Sequence, residues 1–213
     1  MVLELINVFA NPYKAITNHL DAAKYAIQNP IDRGLDIHIE ALLEQQRKQA
    51  NWVLADKIKI SKALHTYQHK YAKSDKTQVD AEIKLLRLTL TSGQIVYHGG
   101  VLNVDQSQKI VVLKHPLSTT FNPKVAVSEA IHKGKAYLSK ALHLNVIKVQ
   151  NPNVNVYPFK QGLRMSLEEE ILFEAGINLK RGRDAIVDSN YKVFGNDSDS
   201  QNVEAHVIEW TIV

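Results

Sequence analysis

From Asn11 to about Arg87 the apolar residues recur at three- and four-residue spacing, as in "NPYKAITNHLDAAKYAIQNP" and "GLDIHIEALLEQQRKQANWVLADKIKISKALHTYQHKYA". That is the period of amphipathic helices. Pro30 and Gly34 separate the first two of them. "KSDKTQ", residues 73 to 78, reads as a loop before a further helix, "VDAEIKLLRLTL". After "TSGQ", near residue 93, the texture becomes short and β-rich: "IVYHGG", "KIVVLKHP", "LNVIKVQ", "VNVYPF", "EEILF", "INLKRGRDAIV" and "VEAHVIEWTIV" predict strands. One helix, from about Pro123 to Leu144 with an interruption at Gly134, lies among them. The expectation is an α+β fold in one compact unit. Residues 1–92 form a helical N-terminal lobe and residues 93–213 a mixed or antiparallel β core. No internal repeat is visible.

Composition narrows this only a little. A chain of 213 residues with 45% hydrophobic and 23% charged positions is ordinary for one globular domain. The absence of cysteine excludes disulfides, thiol catalysis and zinc–thiolate sites. "MVLELINVFANPYK" carries no basic leader before its short apolar run, and no stretch approaches the roughly 18 apolar residues of a membrane span. The expectation is a soluble, cytoplasmic protein with no membrane partner. A net charge of +4 and a pI near 9.1 mildly favour an acidic partner such as nucleic acid or a phosphorylated ligand. A solvated lysine-rich surface gives the same excess; basic clusters such as "KIKISK" are short, and no nucleic-acid motif is recognisable.

Candidate chemistry sits in three stretches. In "SLEEEILFEAG", residues 166 to 176, a strand over 168 to 173 sets Glu168 and Glu170 on one face and turns Glu169 away. Carboxylates that close repel, so at least one pKa rises unless a cation or donor compensates, and such pairs are enriched at active sites. An exposed strand end with solvated glutamates is the bland alternative. In "HPLSTTFNPKVAVSEA", residues 115 to 130, Ser118, Thr119 and Thr120 end an apolar strand, and Asn122–Pro123 then signals a helix start. "IVYHGG", residues 95 to 100, ends a strand in His98, Gly99 and Gly100, where a backbone can approach a ligand closely.

Other features weigh less. His65 and His69 share a helix face at a spacing used for zinc, but no glutamate follows His65 and no third ligand is evident. The acidic loop "FGNDSDSQN", residues 194 to 202, lacks the later bidentate glutamate of a calcium loop, so no metal is expected. Trp52 and Trp210 read as core residues. "KRGRD", residues 180 to 184, reads as a charged hairpin end able to touch phosphate.

The three stretches, in this order, resemble the ADP-ribosyltransferases of the Arg-Ser-Glu, or Glu-x-Glu, type. "STTFNPKVAVSEA" looks like that family's Ser-Thr-Ser segment with its following helix, and "EEEILFEAGINLKRG" looks like its Glu-x-Glu strand and turn. The resemblance covers about residues 93 to 213; in size and in "EILFEAG" it is nearest to small phage enzymes that modify host RNA polymerase and other host proteins. One position departs: where that family has arginine this chain has His98, as does the histidine-tyrosine-glutamate branch of the superfamily. Histidine lacks arginine's permanent charge and bidentate fork for a pyrophosphate, but it can donate to a ribose hydroxyl, as in that second branch.

The resemblance implies NAD as co-substrate, no metal, and transfer of ADP-ribose to a macromolecule, in the host cytoplasm if the chain is phage-encoded. It implies Glu170 as the carboxylate that stabilises an oxocarbenium-like ribose, Ser118 as its hydrogen-bonding neighbour, and Glu168 as the group that orients and deprotonates the acceptor. His98, Gly99, Ser118, Thr119, Thr120 and Phe121 would line the NAD site. "YPFKQGLRMSL", residues 157 to 167, corresponds to the family's substrate-facing loop, with Tyr157, Phe159 and Arg164 as contacts; residues such as Tyr157 and Phe159 are more often ordinary strand-core residues. A glutamate at position 168 goes with arginine acceptors in the family, and some members modify nucleic acid. Two rivals stay open: an NAD glycohydrolase, and a catalytically inactive module that binds NAD or a partner.

Overall fold

The computed structural model of the chain describes residues 1–102, 104, 108–159, 170–196 and 199–213. The helical part holds α1 (His19–Gln28), α2 (Gly34–Gln46), α3 (Ala50–Asp56), α4 (Lys62–His69) and α5 (Lys76–Leu86), with a 3₁₀ turn at Tyr71–Lys73. Local chemistry sets several starts: Asn18 accepts from Asp21 N, Ser61 from Leu64 N and Asp75 from Thr77 N. The Asp75 cap starts α5 inside the expected "KSDKTQ" loop. At its other end Arg87 turns left-handed (φ 50°), so Leu90 belongs not to that helix but to β2 (Thr89–Leu90), parallel to β1 (Val2–Leu3). Among the described residues, no helix is long and apolar enough to cross a membrane.

The remaining strands are β3 (Ile95–Gly99), β4 (Ile110–Val112), β5 (Leu117–Thr120), β6 (Ala141–Val149), β7 (Val156–Pro158), β8 (Glu170–Phe173), β9 (Asn178–Phe194) and β10 (Ser200–Ile212). Among the described residues they form one eight-stranded sheet, in the order β4-β9-β10-β6-β3-β5-β8-β7. It is mixed, because β10 runs parallel to β6 while the other pairs are antiparallel. The chain is therefore α+β, as expected. Between β5 and β6 the predicted helix divides at Lys133 and Gly134 into α6 (Pro123–Ile131) and α7 (Lys135–Ser139), and it gives way to β6 at Ala141 rather than at Leu144.

Strand alternation gives the sheet two apolar faces. Val96, Ile147, Ile208 and Trp210 share a core with Leu3, Ile6, Leu35, Ile39 and Trp52, so the helical part and the sheet bury residues in common. On the other face, Tyr97, Leu144 and Val207 pack under α1 and α6, whose contact residues include Ala23, Ala26, Ala126 and Ala130. Such small side chains let helices lie close to a sheet. Gly99 takes this furthest: a Cβ there would meet Ala126 O at 1.7 Å. Its lack of a side chain thus serves the approach of α6. Gly99→Ala is expected to lower stability by about 1–3 kcal/mol through overpacking. Urea unfolding of the two proteins measures this, and an unchanged midpoint would mean that α6 yields freely.

His19 ties α1 to the same face, with Nδ1 3.0 Å from the Tyr97 hydroxyl and its ring edge-on to Phe9. Burial pushes its pKa down to about 4. Between that value and the ordinary 6.5 the unfolded chain binds a proton that the native chain does not, so stability is lost as pH falls across this window. Denaturant midpoints at pH 7.5 and 4.5 should differ less for His19→Asn than for the parent; equal differences would contradict the assignment.

Candidate active site

Residues far apart in sequence meet on β3, β5 and β8, which are consecutive in the sheet. β5 pairs with β8 so that Thr120 lies opposite Glu170, Thr119 opposite Ile171 and Ser118 opposite Leu172. Directly opposed residues share a face, so Ser118, Thr120, Glu170 and Leu172 project together. In this register Ser118 is not the residue directly across from Glu170. Thr120 faces Glu170 directly, whereas Ser118 is its diagonal neighbour, a relation that spans roughly 7–8 Å. Thr120 Oγ1 accepts from Asn122 N at 3.1 Å, a bond that does not use its own hydroxyl hydrogen. Asn122 in turn caps α6 by accepting from Lys124 N at 2.9 Å, with Pro123 at the first turn, as the Asn–Pro signal predicted.

β3 and β5 meet through the opposition of Tyr97 and Thr120. One residue on, the half-buried His98 ring takes the Ser118 carbonyl, Nδ1 to O 2.8 Å. In a regular ladder such carbonyls accept backbone N–H groups across about 4.8 Å. A ring in that role means that the ladder has opened, and the opening lies beside the hydroxyl-bearing strand. Burial pushes the His98 pKa down, against the opposing effect of the Ser118 carbonyl. Because a carbonyl only accepts, Nδ1 carries the proton, and in the neutral ring Nε2 is an acceptor. His98 is therefore suited to receive a hydrogen bond from a hydroxyl, not to donate one.

Glu170 is only 5% exposed, at the start of β8. α4 covers this part of the sheet with Ala63, Leu64 and Tyr67, which pack with Leu172. The Tyr67 hydroxyl is pushed well up by burial and then by the negative charge of Glu170, which marks Tyr67 as a neighbour of the carboxylate. The sequence signal for Tyr67 was the apolar stripe of α4, read only as helix packing.

Several candidates are enclosed: on the neighbouring β7, Tyr157 lies opposite Leu172, and just beyond it Phe159 N donates to the Glu170 carbonyl at 2.9 Å. Tyr157 and Phe159, expected to touch a substrate, are each 1% exposed and pack beneath α4 and α5 in the core. Burial, then Asp56, pushes the Tyr157 hydroxyl up to about 12. Thr119 and Phe121, expected near NAD, are also buried: Thr119 Oγ1 donates to Ile171 O at 2.8 Å, and Phe121 meets Trp52 edge-on at 5.9 Å. Glu168, Glu169 and Arg164 lie outside the described residues. Among the described residues, no group of three or more His, Asp or Glu is arranged to hold a metal ion.

No protein-family model matches the chain, and no curated protein matches it. Among solved structures it is similar to the Vis toxin, an ADP-ribosyltransferase from Vibrio splendidus, at 15% identity over 91% of this chain and 79% of that one, with a TM-score of 0.37. It is similar to the C3larvin toxin, an ADP-ribosyltransferase from Paenibacillus larvae, at 12% identity over 89% and 92% of the two chains, with a TM-score of 0.38. A third is the catalytic domain of VahC from Aeromonas hydrophila, at 16% identity over 92% and 99%, with a TM-score of 0.37.

Proposed function

We propose that the chain is an NAD-dependent mono-ADP-ribosyltransferase, which cleaves the nicotinamide–ribose bond and passes ADP-ribose to a macromolecular acceptor. The observation that carries the reading is the adjacency of β3, β5 and β8, with His98, the Ser118 and Thr120 hydroxyls and Glu170 on neighbouring strands in the order of the motif resemblance. In this reading the C1′–N bond breaks with its electron pair leaving on nicotinamide. The Glu170 carboxylate, in a site where little water screens it, stabilises the cationic ribose that results. Thr120, directly opposite, holds the carboxylate, with Ser118 diagonal to it, and His98 Nε2 accepts from a ribose hydroxyl. The acceptor nucleophile then attacks C1′ and gives up its proton to Glu168. Arginine of a target protein is the favoured acceptor, because a carboxylate at position 168 pairs with a guanidinium; host proteins, RNA polymerase among them, are the expected targets.

His98 supports a second reading. A neutral ring in place of an arginine contributes no charge to a pyrophosphate, as in a module that binds NAD or a partner without turnover. Chromatography of NAD incubated with the purified protein tests the first reading: nicotinamide accumulates if the bond is cleaved, and intact NAD that binds without loss favours the second.

A further inference from the structure

Between Lys57 and Lys76 the chain carries six lysines against one aspartate, a net of +5 where the whole molecule has +4. The basic excess is thus concentrated on one unit: α4, the connection before it and the 3₁₀ turn after it. Elsewhere Lys14, Lys24, Lys48, Lys84 and Lys135 are paired with carboxylates, and the lysines without such a pair among the described residues, Lys109, Lys133 and Lys148 included, are spread along the chain among the remaining acidic residues. None of Lys57, Lys59, Lys62, Lys70, Lys73 and Lys76 makes an ion pair with a described residue, and all but half-buried Lys76 are exposed.

Flat rings stand among these cations. α4 buries Ala63, Leu64, Tyr67 and Gln68 and turns Lys62, His65 and His69 outward. The two histidine rings stack on each other, 4.1 Å between centroids and 17° between planes. Just beyond them Tyr71 is 62% exposed, with the Lys76 ammonium 3.2 Å from its ring centroid. We infer that this surface binds single-stranded nucleic acid, with the lysines on backbone phosphates and the exposed rings as stacking platforms for unpaired bases. Lysines alone would serve any polyanion; exposed rings beside them suit bases that are not already stacked in a duplex. The inner side of the same helix carries Tyr67, the neighbour of Glu170, so a bound strand passes close to the candidate site. The binding itself does not depend on the transferase reading.

Fluorescence anisotropy of a labelled oligouridine of about 20 nucleotides with the full chain tests this. Affinity should fall between about 50 and 200 mM salt with a log–log slope of about −4, for some five or six phosphates. Lys62→Gln/Lys70→Gln/Lys73→Gln should weaken binding about tenfold or more, whereas Lys24→Gln/Lys48→Gln/Lys135→Gln, an equal change of charge elsewhere, stays within about threefold. Tyr71→Ala should weaken it about tenfold and leave the salt slope unchanged. Equal losses from the two triple variants, equal affinity for a duplex, full competition by anionic lipid vesicles or polyglutamate, or no binding at all would each overturn the inference.

Discussion

Glu170→Gln releases nicotinamide from NAD about a hundred- to a thousandfold more slowly than the parent chain, while NAD affinity changes by no more than about threefold. The substitution keeps the size of a side chain that is 5% exposed on β8 and removes only its charge. An interaction that matters once positive charge has developed on the ribose is lost from kcat, not from ground-state binding. An intact melting transition separates this from damage to the fold. A rate within about threefold of the parent would remove Glu170 from the chemistry.

Trp52→Ala has the largest expected effect on stability, about 3–5 kcal/mol. The side chain is fully buried in the core shared by the helices and the sheet. Its indole N–H donates to Glu4 O at 2.9 Å, Phe121 meets it edge-on, and the Arg47 guanidinium lies 5.3 Å from the ring. Truncation leaves a cavity and strands the Glu4 carbonyl together. Because Phe121 directly follows Thr120, the loss reaches the strand that faces Glu170. For a chain of this size the melting temperature should fall by about 6–20 °C, followed by far-ultraviolet circular dichroism, and Trp52→Phe should recover part of it. A shift below about 2 °C would contradict the packing described.

Much of the architecture was legible because it rests on short-range patterns. Apolar residues at helical spacing marked the helical part, though not the breaks that divide α2, α3 and α4; Asn122–Pro123 marked the start of α6, and "EILF" marked β8. Trp52 and Trp210 are buried as their size suggested. Long-range pairing hid the rest. β9 runs on to Phe194, well past the expected end at Val187, because pairing with β10 extends it through exposed polar residues such as Ser189 and Asn190 that carry no strand alternation. That Thr120 rather than Ser118 stands directly across from Glu170 was not legible, since register is set by partner strands and not by the motif itself. Tyr157 and Phe159 take the strand-core place that was the other reading of them, under α4 and α5, and the close approach of α6 to Gly99 was not visible in the sequence.

The most direct test of the central claim is incubation of the protein with NAD labelled in its adenylate part and a cell lysate, in nuclease- and protease-treated portions, beside the Glu170→Gln control. The account predicts label joined to a macromolecule by the parent chain and lost with the variant, and the protease-sensitive portion carries it if the acceptor is arginine. Free nicotinamide without labelled macromolecule, or label that does not depend on Glu170, would contradict it.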